Sequence, residues 1–142
     1  MSAELIASKN VVCVKPGTPI VDVAKLMAQR SIGFLVVSSD CERDLAGVVS
    51  ERDIIRALAS GLQLSEPVDA IMTRRVIYVH RNAPIWEIAY LMREHKIRHV
   101  VVTDGDKIFG IISIRDLLRE SEVIKRLAEY AEERIDEISA YD

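Results

Sequence analysis

Gly47-Val48-Val49-Ser50-Glu51-Arg52-Asp53 and Gly110-Ile111-Ile112-Ser113-Ile114-Arg115-Asp116 state one pattern twice, and the chain around them is an internal duplication. Each stretch reads as a strand of branched apolar residues running into a helix, with Gly at the strand start and Ser at the cap. A helix N-terminus carries unpaired N–H groups and partial positive charge, so each junction suits a phosphate or a hydroxyl-rich ligand. Two junctions predict two sites. Ser-x-x-Asp before an apolar helix is equally a capping box, which satisfies the same amides with no ligand. Capping leaves unexplained why Gly opens both copies and why Arg precedes Asp in both.

Upstream of the junctions the repetition continues. A shift of 65 positions lays Val76, Val79, Pro84, Ile85, Ala89, Leu91, Met92, Ile97, Val101 and Val102 on identical residues, ten identities in 27 positions. The junctions align with a shift of 63, so the first copy carries two extra residues, assigned to the polar loop 38–45. Exposed loops tolerate such insertions at little cost.

Within the first copy, residues 11–14 are predicted as a strand ended by Lys15-Pro16-Gly17. Thr18 is expected to cap a helix that starts at Pro19 and buries Ile20, Val23, Ala24 and Met27 along one stripe. The continuously apolar stretch 34–37 reads as a central strand, followed by the strand 46–49 and a helix from about Ser50 to Ala59. The predicted fold class is α/β (α+β), with two pseudo-twofold repeats, each strand-helix-strand-strand-helix, and a further C-terminal helix. Their bounds are 5–60 for the first repeat, 61–67 for the linker, 68–119 for the second repeat and 120–142 for the terminal helix. Ile124, Ala128, Ala131, Ile135 and Ile138 give that helix a narrow apolar seam, expected to pack on its own module or on a dimer mate. Grooves between the repeats fall beside strand ends and helix N-termini, where open α/β architectures bind ligands.

With 142 residues, 49% of them hydrophobic, the chain is long enough for one well-buried core. A net charge of −3 disfavours nucleic acid as a partner. No run is apolar enough to span a membrane and the N-terminus lacks the features of a signal peptide, so a cytoplasmic protein is expected. Cys13 and Cys41 have neither CxxC spacing nor a paired framework, and both are expected to be reduced thiols. Two Asn and two Gln beside many Arg and Glu lean toward a heat-stable source.

Ala70-Ile71-Met72-Thr73, Ile97-Arg98-His99-Val100-Val101-Val102 and the closing Gly-h-h-Ser-x-x-Asp of each half together resemble a tandem CBS-domain pair, or Bateman module, expected to stand alone. The resemblance spans about Leu5 to Arg119. It implies binding of an adenosine ligand (AMP, ADP, ATP or S-adenosylmethionine), a regulatory role toward another protein, and a flat homodimer built through helices. By that resemblance Asp53 and Asp116 are the ribose-binding carboxylates, with Ser50 and Ser113 as the hydroxyls three residues earlier. An ionised Asp only accepts, so it can take both ribose hydroxyl protons. A basic residue at the start of the second strand faces phosphate in similar modules. Here that residue is Arg98, with His99 beside it, and Arg115 precedes Asp116. Gly33 and Phe34 stand at the matching positions of repeat one. The site using Asp116 is therefore expected to hold a phosphorylated ligand more tightly than the site using Asp53, unless Arg98 reaches across.

His80, His95 and His99 form no metal-binding pattern, and no Walker A, GxGxxG or nucleophile with base and orienter is present. No metal and no catalysis are expected. Trp86 reads as packed core or interface, rather than a base-stacking platform. The competing function is a ligand-free dimerisation or protein-interaction module.

Overall fold

The computed structural model describes residues 1–120, 125–126 and 128–134. The apolar runs become strands and the 3.6-period stripes become helices in the predicted order: β1 (Cys13–Val14), α2 (Ile20–Arg30), β2 (Phe34–Val37), β3 (Gly47–Ser50) and α3 (Glu51–Ala59). The second repeat follows with β4 (Tyr78–His80), α4 (Ile85–His95), β5 (His99–Asp104), β6 (Lys107–Ser113) and α5 (Ile114–Arg119). A short turn precedes each repeat, helix α1 (Ala3–Ile6) in one and a 3-10 turn (Val68–Ala70) in the other. Each repeat has a three-stranded sheet in which the strand carrying the buried apolar run, 35–37 in one and 100–102 in the other, is central. It pairs in parallel with the strand before it and antiparallel with the strand after it.

Each repeat buries the leading turn of the other. Val68 and Met72 lie in the core with Ile20, Val23, Leu35 and Val49, whereas Ala3 lies with Ile88, Val100, Val102 and Ile112. The exchange also satisfies helix N-termini, whose first amides have no partner inside the helix. Ile20 and Val21 donate to the Glu66 and Leu64 carbonyls, both at 2.9 Å, and Ile85 donates to Met1 at 3.2 Å. Those backbone partners do the work expected of Thr18, whose hydroxyl instead donates to the Lys15 carbonyl at 2.6 Å. The helix opens at Ile20 with Pro19 as its cap and no side-chain capping bond.

The cysteines are not reduced: Cys13 and Cys41 form a disulfide across 28 positions of chain. No local spacing reports this pairing, because it depends on how the loop carrying the two extra residues folds back over β1. Asp40 organises that loop. Its Oδ1 accepts the N–H groups of Glu42, Arg43 and Asp44 at 2.9 to 3.1 Å, and these bonds lower its carboxyl to about 2. Cys41 adopts a left-handed φ of 56°, and the loop goes on to the second repeat, where Ile108 donates to the Glu42 carbonyl at 2.7 Å.

Residues 125–126 and 128–134 are helical. Most of the apolar seam expected over 120–142, including Ile124, Ile135 and Ile138, lies outside the described residues. Among the described residues no helix is long and apolar enough to cross a membrane.

Candidate ligand-binding site

At both junctions the capping box is formed. Asp53 Oδ2 accepts the Ser50 N–H at 2.8 Å and its hydroxyl at 3.1 Å, while the Asp53 N–H donates to Ser50 Oγ at 3.3 Å. In the second copy Asp116 Oδ2 accepts the Ser113 N–H at 2.8 Å, and the Asp116 N–H donates to Ser113 Oγ at 3.2 Å. Capping engages one oxygen of each carboxylate. Among the described residues Oδ1 of neither Asp accepts a hydrogen bond, so capping and ligand binding do not compete for the same atom.

The repeated glycine is explained by close approach of the other repeat. A Cβ on Gly47 would lie 2.8 Å from Met72 Sδ and 2.9 Å from the Thr73 carbonyl oxygen, and one on Gly110 would lie 2.6 Å from the Ser8 carbonyl oxygen. Backbone bonds run through those contacts: Val48 and Thr73 exchange a pair at 3.0 and 2.8 Å, and Ser8 and Ile111 exchange a pair at 2.9 Å. Each closing strand thus lies against the segment that leads into the opposite repeat.

Two cavities among the described residues are consequently built across the repeats. One, of about 400 Å³, is lined by Ser50, Arg52 and Asp53 from repeat one. Repeat two contributes Arg75, Val76 and Ile77 before β4, and Lys96, Ile97, Arg98 and His99 at the start of β5. The other, of about 800 Å³, is lined by Ser113, Arg115 and Asp116 from repeat two, with Ser8, Asn10 and Val12 from the N-terminal segment. Ser31, Ile32, Gly33 and Phe34 complete it, together with Glu51, Arg98 and His99. Volumes of this order accommodate small organic ligands.

The seven sequence-derived residues therefore divide unevenly. Ser50 and Asp53 face one cavity, Ser113, Arg115 and Asp116 face the other, and Arg98 and His99 border both. The premise that Arg98 favours the Asp116 site does not hold, because Arg98 lies in the shared wall and also meets the Asp53 cavity. Arg56, Arg75, Lys96 and Glu51 also line the Asp53 cavity. Glu51 and Arg56 follow from the helix that Ser50 caps, whereas Arg75 and Lys96 come from the other repeat and are brought in only by the packing of the two repeats.

Glu51 packs against Gly33, where a Cβ would sit 2.9 Å from the Glu51 Cδ, and the Glu51 N–H donates to the Gly33 carbonyl at 2.8 Å. Burial pushes the His99 imidazole below its ordinary range; Asp116 and Glu51 oppose that shift, and Arg115 and Arg98 add to it. His99 is thereby held neutral near pH 7, a flat aromatic wall rather than a cation. Among the described residues no group of three or more His, Cys, Asp or Glu is placed to hold a metal ion.

Two solved structures similar to this chain hold adenosine compounds. A CBS-domain protein from Pyrobaculum aerophilum complexed with AMP superposes with a TM-score of 0.82 at 33% identity, covering 91% of this chain and 99% of that one. The CBS-domain pair of protein MJ0100, in complex with 5′-methylthioadenosine and S-adenosylmethionine, gives 0.75 at 28% identity, covering 84% of this chain and 94% of that one. Hypoxic Response Protein I, solved with two coordinated zinc ions, gives 0.73 at 30% identity over 84% of this chain and 98% of its own. The CBS domain itself matches twice, over residues 3–60 and 68–123. The chain belongs to the CBS-domain family, as a tandem pair of that domain.

Proposed function

We propose that the chain is a non-catalytic regulatory module that binds an adenosine ligand of the AMP, ADP or ATP type between its repeats and transmits occupancy to a partner protein. The observation that carries this reading is the cavity uniting Asp53, with Oδ1 unengaged, and Arg98 across the repeat boundary. The carboxylate accepts the ribose hydroxyls, the apolar residues Val76 and Ile77 before β4 flank the base, and the guanidinium pairs with phosphate. The AMP complex of the Pyrobaculum aerophilum protein supports the same ligand class. In the second cavity Ser113 and Asp116 supply the equivalent hydroxyl and carboxylate for the ribose, beside Arg115.

The test is thermal unfolding with and without AMP, ADP, ATP and S-adenosylmethionine. A ligand at a hundredfold excess over its dissociation constant stabilises the fold by about 2.7 kcal/mol. No shift with any of them rejects the reading in favour of a ligand-free assembly module. Incubated nucleotide is expected to be recovered unchanged.

We propose a homodimer in the cytoplasm. Trp86 is 71% exposed and Tyr90, one turn on along α4, is 56% exposed, so Trp86 is not core. Ile55, Leu58 and Leu118 add apolar surface on α3 and α5. Such patches mark contacts between proteins. A disulfide in that compartment fits the heat-stable composition, since intracellular proteins of hyperthermophiles are rich in disulfides.

A further inference from the structure

We infer that the two cavities sort adenosine compounds by charge: the Asp53 cavity takes the phosphorylated ligand, and the Asp116 cavity takes one without phosphate. This rests on the adenosine-binding reading above and adds to it a division of labour. The Asp53 cavity is bordered by five cationic side chains, Arg52, Arg56, Arg75, Lys96 and Arg98, against the two carboxylates of Glu51 and Asp53. The Asp116 cavity has three, Arg98, Arg115 and Arg119, against Glu51 and Asp116. Groups common to both cavities cannot discriminate. Arg98 and Glu51 border each one, and Arg52 and Arg56 on α3 match Arg115 and Arg119 on α5.

Among the Arg and Lys side chains, what remains is the difference between Arg75 and Lys96 on one side and their repeat-one counterparts, Asn10 and Ser31, on the other; His95 also borders the Asp53 cavity alone. The substitutions are clean. Ser31 and Lys96 are C-caps with left-handed φ values of 52° and 53°, so the backbone presents both side chains alike. All four residues are exposed, and none makes a side-chain bond that holds the fold together among the described residues. The asymmetry is therefore one of electrostatics, with the cations delivered to the cavity opposite the repeat's own Asp.

Calorimetric titration with adenosine and with AMP tests the inference on the whole chain. The native protein is expected to take one AMP per chain tightly and a second at least tenfold more weakly, and to show a smaller gap for adenosine. Arg75→Asn with Lys96→Ser is expected to weaken the tight AMP phase by about ten- to a hundredfold, the effect of losing one charge-assisted bond, while adenosine changes much less. The reverse exchange, Asn10→Arg with Ser31→Lys, is expected to bring the second AMP level with the first. AMP filling two equivalent sites in the native protein overturns the inference, as does an Arg75/Lys96 exchange that weakens adenosine as much as AMP. If no adenosine compound binds at all, the function proposed above falls and takes this inference with it. Adenosine binding without discrimination of AMP rejects the inference alone.

Discussion

Phe34 and His99 hold equivalent positions in the two repeats and lie face to face across the pseudo-twofold, with ring centroids 4.5 Å apart and planes 8° from parallel. Both rings border both cavities, so the stack is the partition between them. A neutral imidazole stacks on Phe at little cost, whereas an imidazolium there must be desolvated, a cost that Asp116 and Glu51 offset only in part and that Arg115 and Arg98 increase.

The partition is therefore expected to be pH-sensitive. Burial depresses the His99 pKa in the fold, so the unfolded chain binds its proton more readily than the folded one. The stability this neutral ring contributes is fully present above the ordinary histidine value of 6.5 and is lost as pH falls through the lower folded value. Urea unfolding between pH 7.5 and 5 measures it. His99→Phe should flatten the acid limb, and an unchanged slope in that variant would assign the loss to other groups.

Separating cap from ligand is possible at Asp53. Asp53→Asn keeps an acceptor oxygen for the Ser50 N–H but removes the charge that takes the ribose protons. Unfolding without ligand should stay within about 1 kcal/mol of the native protein, the scale of a whole capping interaction. Affinity for AMP should fall by about 1.5 to 3 kcal/mol. A stability loss with unchanged affinity would make Asp53 a cap and nothing more.

Gly110→Ala places a methyl group against the Ser8 backbone at a distance that rigid chain cannot absorb. The expected cost is about 1 to 3 kcal/mol, the range for overpacking. Gly47→Ala, facing the flexible Met72 side chain as well as the Thr73 carbonyl, should cost less. Denaturant midpoints of the two variants compare them directly.

Reduction of the Cys13–Cys41 bond opens a loop of 28 positions. The loop-closure model assigns about 3 to 4 kcal/mol to a crosslink of that span. Cys41→Ser should lose that amount under oxidising conditions and show no further loss with reductant, whereas the native chain should fall to meet it. A variant as stable as the oxidised protein would show the bond to be structurally idle.

The repeated junction, the period-two and period-3.6 patterns and the 65-residue self-alignment were enough to derive two strand-helix-strand-strand-helix units and their order, because these features depend on near neighbours in the chain. Ser50, Asp53, Ser113 and Asp116 were legible for the same reason: a cap is local chemistry. The partnerships were not. That Gly47 faces Thr73 and Gly110 faces Ser8, that Arg98 meets the cavity of Asp53, and that Cys13 bonds Cys41 are contacts between segments far apart in sequence. They arise because each leading turn completes the core of the other repeat. Chain order alone points Arg98 toward the Asp of its own repeat, and only the packed structure turns it toward both.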